Sequence, residues 1–243
     1  MAHGMPDDSD VETQSNVSKS LDLSELAIRL GAVPSFDRRG DVVYWHDFSG
    51  GFGMFNAYDS SGAIGQLLCN DMALNSGVSL FMKAPNVEDG YAAVYFAMVV
   101  GQTSSFGAEF LYSIKNTCKS LSILLPVQVG GLSYLYWADV VFATGEVLAY
   151  NDAGAWEQVG VHTCYVPDVR WMQSLKLVLD LGNQRYGRLV FNNSTYLLTA
   201  VRPFVAPTAS PDGVDINFRA RSPALTNAEA YLLGVIITQN EPL

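Results

Sequence analysis

Leu175-Lys176-Leu177-Val178-Leu179-Asp180-Leu181, then Gly182-Asn183-Gln184, then Arg185-Tyr186-Gly187-Arg188-Leu189-Val190-Phe191 is the stretch that decides the fold. Leucines recur at every second position, with Lys176, Val178 and Asp180 between them, and a period of two is the signature of a strand with one face buried. Gly182-Asn183 with Gln184 reads as a tight turn. Asn192-Asn193 reads as another, ahead of Thr195-Tyr196-Leu197, so three antiparallel strands form a meander.

Outward from this meander the same rhythm holds in both directions. Strand candidates recur at 42–48, 63–69, 78–83, 91–100, 108–114, 121–129, 133–142, 146–150, 155–161, 175–181, 186–191, 195–198, 214–220 and 230–238. In the 214–220 segment Ile216 and Phe218 alternate with Asn217 and Arg219. No second helix of useful length lies between these runs, which excludes parallel βαβ units and leaves hairpins and Greek-key crossovers. The expected fold is all-β, an antiparallel two-sheet β-sandwich of jelly-roll type. Residues 202–213, with Pro203, Pro207 and Pro211, read as a long irregular connection crossing between sheets.

The first residues break the pattern. Met1–Ser20 carries Asp7, Asp8, Asp10 and Glu12 in a Ser/Asn/Gln background and reads as a polar arm without a core of its own. Asp22 and Glu25 then complete a capping box, Leu21 and Leu26 flank it, and Gly31 supplies a C-terminal stop, which predicts a short helix over 23–30. The expected organisation is an arm at 1–20 and one domain at 21–243.

Composition excludes several classes of function. The chain has 14 Lys plus Arg against 24 Asp plus Glu, a net charge of −10, so clustered cations for a nucleic-acid backbone are not expected. No apolar run reaches the length of a spanning helix and no basic amphipathic helix is present, so no membrane partner is expected. Only 16% of residues are charged, which leaves the surface to Ser, Thr, Asn, Gly and Tyr or to a partner. Cys69, Cys118 and Cys164 are odd in number and far apart, which predicts reduced thiols. Met1–Ser20 has no signal-peptide pattern, which predicts synthesis in the cytoplasm, and the sequons at Asn16, Asn192 and Asn193 are then chance matches.

Three further segments carry a resemblance. Tyr44-Trp45-His46-Asp47-Phe48-Ser49-Gly50-Gly51, the meander described above and Ala230-Tyr231-Leu232-Leu233-Gly234-Val235-Ile236-Ile237 resemble the concanavalin A-like lectin and glucanase superfamily. The resemblance spans 42–238 and rests on strand patterns. It implies that the first strand pairs with the last and that one sheet face takes a saccharide. The sequence lacks the Glu-x-Asp-x-x-Glu run of the retaining glucanases and the Asp/Asn-rich calcium loop of the legume-type lectins. Asn151-Asp152 falls short of the six to eight oxygens that calcium takes. No metal and no cofactor is expected.

The site candidates are few. A two-carboxylate hydrolase would use Glu109 and Glu229, both read as lying at strand starts, with Glu229 sharing its row with Tyr231, Leu233, Val235 and Ile237. Sugar stacking would draw on Tyr134 and Tyr136, on Asn151 and Asp152, and on Trp156. Along 133–142 the two tyrosines share one row while Leu135 and Trp137 share the other, and one row must be core. Read together, these features predict a non-enzymatic structural protein, such as a virion coat, decoration or fibre component, that forms a homo-oligomer or larger assembly through its arm. The alternatives are a lectin-like carbohydrate-binding module and a glycoside hydrolase.

Overall fold

The computed structural model describes residues 40–60, 66–69, 78–99, 104–114, 118–162 and 172–243. The arm at 1–20, the helix expected at 23–30 and Cys164 lie outside them. Sixteen strands run through the described residues and no helix occurs among them. In chain order they are β1 (Asp41–His46), β2 (Asn56–Asp59), β3 (Gln66–Cys69), β4 (Ser79–Lys83), β5 (Tyr91–Met98), β6 (Ser105–Ile114), β7 (Ser120–Val129) and β8 (Leu132–Val141). Then follow β9 (Glu146–Tyr150), β10 (Trp156–Val161), β11 (Gln173–Asp180), β12 (Arg185–Phe191), β13 (Ser194–Leu197), β14 (Phe204–Pro207), β15 (Gly213–Arg221) and β16 (Glu229–Gln239).

Among the described residues the strands form two antiparallel sheets of eight. Sheet A runs β13-β12-β11-β6-β16-β4-β3, with β1 also on β16; sheet B runs β10-β9-β8-β7-β15-β5-β2, with β14 also on β8. Each sheet has one long strand whose edge is shared by two short ones. β16 holds β4 at Glu229–Leu232 and β1 at Val235–Gln239, while β8 holds β9 at Ala138–Val140 and β14 at Leu132–Leu135. Successive described strands change sheet eight times, among them from β5 to β6, β6 to β7 and β15 to β16, which is jelly-roll winding.

The expected meander is β11-β12-β13, with Leu177 opposite Leu189 and Leu189 opposite Tyr196. The first strand pairs with the last, Trp45 opposite Ile236. Inward rows from both sheets meet in one core, where Phe110 of β6 stacks on Phe218 of β15 at 4.9 Å and Tyr136 of β8 meets Tyr186 of β12 edge-on at 5.1 Å. Each such side chain contributes roughly 1.5–3 kcal/mol by leaving water. Burial pushes the Cys118 thiol in this core up to about 12, and both Cys69 and Cys118 are free.

Three expectations change. Residues 202–213 do cross from sheet A to sheet B, but they are not irregular throughout: β14 pairs with β8 through Phe204 and Leu135. Its prolines are tolerable because an edge strand does not need every N–H. β2 was not foreseen; it pairs with β5 through only four residues. In β16 the alternation breaks at a bulge between Leu232 and Gly234. Tyr231 and Leu233 face outward with Ile236, whereas Val235 and Ile237 face the core. The single row of Glu229 with Tyr231, Leu233, Val235 and Ile237 therefore does not exist.

Candidate functional site

The register of sheet B lays out its outer face row by row. Trp156 stands opposite Tyr150, and Ala149 opposite Ala138 places Tyr150 beside Trp137. Trp137 opposes Leu124, Leu124 opposes Asn217, Asn217 opposes Tyr95 and Tyr95 opposes Asn56. The row crosses seven strands, about 29 Å at about 4.8 Å per spacing. The next row carries Asp139, Ser122, Arg219 and Tyr58, and the one after it Ser120, Arg221 and Tyr91. These residues alternate with Tyr136, Ile123, Ile216, Phe218 and Phe96, which fill the core.

One end of this face is aromatic. Trp137 lies 4.8 Å from Trp156 and 5.7 Å from Tyr150, Tyr150 lies 5.4 Å from Trp156, and Phe204 closes the group 6.0 Å from Tyr150. Trp156 is 37% exposed. The ladder between β8 and β9 stops short of Trp137 and Tyr150, and a hydroxyl from the other sheet takes over. Tyr186 Oη accepts from the Trp137 backbone N–H at 2.7 Å and donates to the Tyr150 carbonyl at 2.8 Å. Burial raises the Tyr186 pKa, so the phenol keeps the proton this bond needs.

The centre is cationic. Arg219 and Arg221 share one face of β15, and their guanidinium carbons lie 5.6 Å and 5.5 Å from the Trp137 ring centroid, with Arg219 also 4.7 Å over Tyr91. Arg219 Nη2 donates to Tyr58 Oη at 3.2 Å, and that hydroxyl donates to Asn217 Oδ1 at 3.3 Å. Asp139 accepts from Ser122 and Ser120 at 3.0 and 3.2 Å and lies 3.7 Å from Arg221 Nη1. Its carboxyl is held above the usual carboxylate value because burial outweighs the nearby guanidinium and the two hydroxyls. Trp137 Nε1, Arg219 Nε and Arg221 Nε find no hydrogen-bond acceptor among the described residues.

The residues singled out from the sequence separate into several places. Trp156 joins the aromatic end. Tyr134 and Asp152 meet in a cleft of about 260 Å³ at the sandwich rim, with Asn183, Gln184, Arg185 and Arg202. Asn151 spends its side chain on its own loop, accepting from the Ala153 and Ala155 amides at 3.1 Å each. Tyr136 is 1% exposed, so it is a core residue that no ligand reaches, and of the two rows of β8 it is the tyrosine row that is buried.

Glu109 is not at a strand start but in the middle of β6, 1% exposed and opposite both Lys176 and Ile236. Glu229 opens β16 and lies 3.7 Å from Lys83 Nζ. Glu229 lies seven positions along β16 from Ile236, the partner of Glu109, about 23 Å at about 3.3 Å per residue, which neither glycosidase geometry allows. No cluster of three metal-ligating side chains occurs among the described residues.

Tyr150, Phe204, Asn217, Arg219 and Arg221 were not anticipated as site residues. A signal was present for three of them. Asn217-Phe218-Arg219-Ala220-Arg221 alternates polar and apolar in a chain with few cations, which puts two guanidinium groups on one outward row.

No family model and no curated protein matches the sequence. Solved structures do match in shape. A carbohydrate esterase, vb_24B_21 from the Shiga toxin-encoding bacteriophage phi24B, is 10% identical, with 82% of this chain and 99% of that one covered and a TM-score of 0.53. Cip1, a cellulose-induced protein, is 10% identical over 80% of this chain and 96% of its own, with a TM-score of 0.52. The lumenal domain of VIP36 in its Ca2+/Man3GlcNAc-bound form is 7% identical, covering 78% and 85%, with a TM-score of 0.46. The likeness to the esterase and to Cip1, at 10% identity, speaks for the fold alone: a two-sheet jelly roll.

Proposed function

We propose that this protein is a non-enzymatic, lectin-like carbohydrate-binding domain that takes a saccharide across the outer face of sheet B. The observation that carries the reading is the cross-strand row Trp156–Tyr150–Trp137, beside the polar Asn217 and Tyr95. Sugar rings present apolar C–H faces and hydroxyl edges, and a face that offers aromatic rings next to amides and hydroxyls fits both. Two proteins of similar shape, a carbohydrate esterase and a cellulose-induced protein, support a saccharide ligand here.

Affinity electrophoresis of the full chain through gels containing soluble polysaccharides, neutral and acidic, tests the reading. Retardation of the wild type is expected, with Trp156→Ala weakening it about tenfold at an unchanged melting temperature, because a contact aromatic is worth on the order of 1–2 kcal/mol and this one is half open to solvent. Failure of the folded wild type to bind any polymer, or equal binding by Trp156→Ala, overturns the proposal.

A second reading is an assembly role as a virion coat, decoration or fibre component, made in the cytoplasm and joined into homo-oligomers by residues 1–20. The low charge content and the bacteriophage source of one matched structure support it. Light scattering on the full chain and on a variant lacking residues 1–20 decides: a monomer in both cases rejects it.

A further inference from the structure

The chain carries ten more acidic than basic groups, yet the middle of its proposed binding face carries two arginines side by side. Their surroundings differ from those of the buried cations of sheet A. Lys176 and Arg188, on the outer face of sheet A, are both closed by the Glu241 carboxylate at 2.6 and 2.7 Å. Arg219 touches no carboxylate among the described residues; its contacts are Tyr58 Oη and the rings of Tyr91 and Trp137. Among the described residues the one carboxylate near Arg221 is Asp139, at 3.7 Å, beyond good hydrogen-bond length, and Asp139 is already occupied by two serine hydroxyls. A guanidinium taken partly out of water without a counter-charge is costly, and an anion arriving from outside removes that cost. Three nearby N–H groups, Trp137 Nε1, Arg219 Nε and Arg221 Nε, find no acceptor among the described residues. Aromatic rings lie 4.7–5.6 Å from the two guanidinium carbons, and the paired donors of a planar guanidinium match a two-oxygen partner better than a point charge.

We propose that the saccharide taken by this face is acidic, of the uronic acid class, with its carboxylate seated over Arg219 and Arg221 beside Trp137 and its ring running toward Tyr150 and Trp156. The inference rests on the saccharide reading given above and adds the ligand's charge to it. No bond is made or broken: the arginines supply charge and paired donors, and the aromatic end supplies the apolar contact.

Polygalacturonate and its fully methyl-esterified form make the test, because they differ in charge and not in backbone. Titration calorimetry of the full chain is expected to show the acid bound about tenfold more tightly than the ester, the worth of one charge-assisted hydrogen bond. That preference shrinks as salt is raised. Arg219→Gln, with its melting transition retained, is expected to bind acid and ester equally, and Arg219→Lys to regain part of the preference. Equal binding of the two polymers by wild type, or a preference untouched by Arg219→Gln, overturns the acidic ligand and leaves a neutral saccharide standing. Absence of binding to either polymer and to neutral glucans overturns both readings. Should Arg219→Gln fail to fold, the wild-type contrast between acid and ester at low and high salt decides alone.

Discussion

The outer faces of the two sheets are built from similar residues and finished in opposite ways. On sheet A, Val42, Leu111, Leu233 and Ile236 are buried, and so are Glu109, Lys176 and Arg188. The last residues fold back over them: Glu241 accepts from Lys176, Arg188 and Thr238, and Arg188 also reaches the Pro242 carbonyl. Gly107 makes this closure possible, since a Cβ there would come within 2.9 Å of Glu241 Oε1. Among the described residues the outer face of sheet B has no such cover from the C-terminal residues; Trp156 and Tyr95 are each 37% exposed, and Arg219 meets no carboxylate there. Charges that the fold consumes are satisfied within the chain. Charges left facing outward, among aromatic rings, are the ones available to a ligand.

The contrast can be broken most forcefully on its closed side. Glu241→Ala removes the counter-charge that Lys176 and Arg188, 1% and 3% exposed, share. A loss of about 3–5 kcal/mol in the urea unfolding free energy is expected, with saccharide binding retained in the folded fraction. A loss below about 1 kcal/mol would mean that the closure of sheet A is not built on this ion pair.

Tyr186→Phe attacks the link between the two sides. It leaves the Trp137 N–H and the Tyr150 carbonyl without their shared partner inside the sandwich, at a cost of about 1–3 kcal/mol. Because those two backbones carry the aromatic end of the row, the tryptophan emission is expected to shift and binding to weaken along with stability. Stability lost with emission and affinity unchanged would show that the hydroxyl supports the core but does not position the row.

The smallest effect belongs to Asp139. Its folded-state pKa is raised above the ordinary value of 3.8, so between 3.8 and the raised value the folded protein binds more protons than the unfolded chain, and this group's contribution falls as pH rises. Asp139→Asn removes the titration and keeps the shape. The urea midpoints of variant and wild type are expected to lie closest at pH 3.8 and below and to part in the variant's favour as pH rises. A gap that widens toward acid instead would mean that Arg221 and the serines outweigh burial.

Strand content was legible because a two-residue period needs no long-range information: β11, β12 and β15 follow directly from alternating leucines, isoleucine and phenylalanine. What the period does not disclose is which of two apolar rows faces inward. In β8 both rows are aromatic, and only the pairing with β7 and β9 resolves that Tyr136 is core and Trp137 is not. The bulge in β16 is invisible for a related reason, since apolar residues stand on both sides of Gly234 and a phase change leaves no mark in composition. The cationic centre was missed because Arg219 and Arg221 meet Trp137 across 82 and 84 residues of chain, a proximity that register alone creates.

The phenol of Tyr186 has one more implication. It is rooted in a strand of sheet A and ends on the main chain that carries the Trp137 and Tyr150 rings of the proposed saccharide face. Whatever presses on those rings from outside also loads a tether anchored in the opposite wall. The sandwich interior is then a mechanical path as well as a store of apolar contacts, and a guest on one wall has a route by which to stiffen the other.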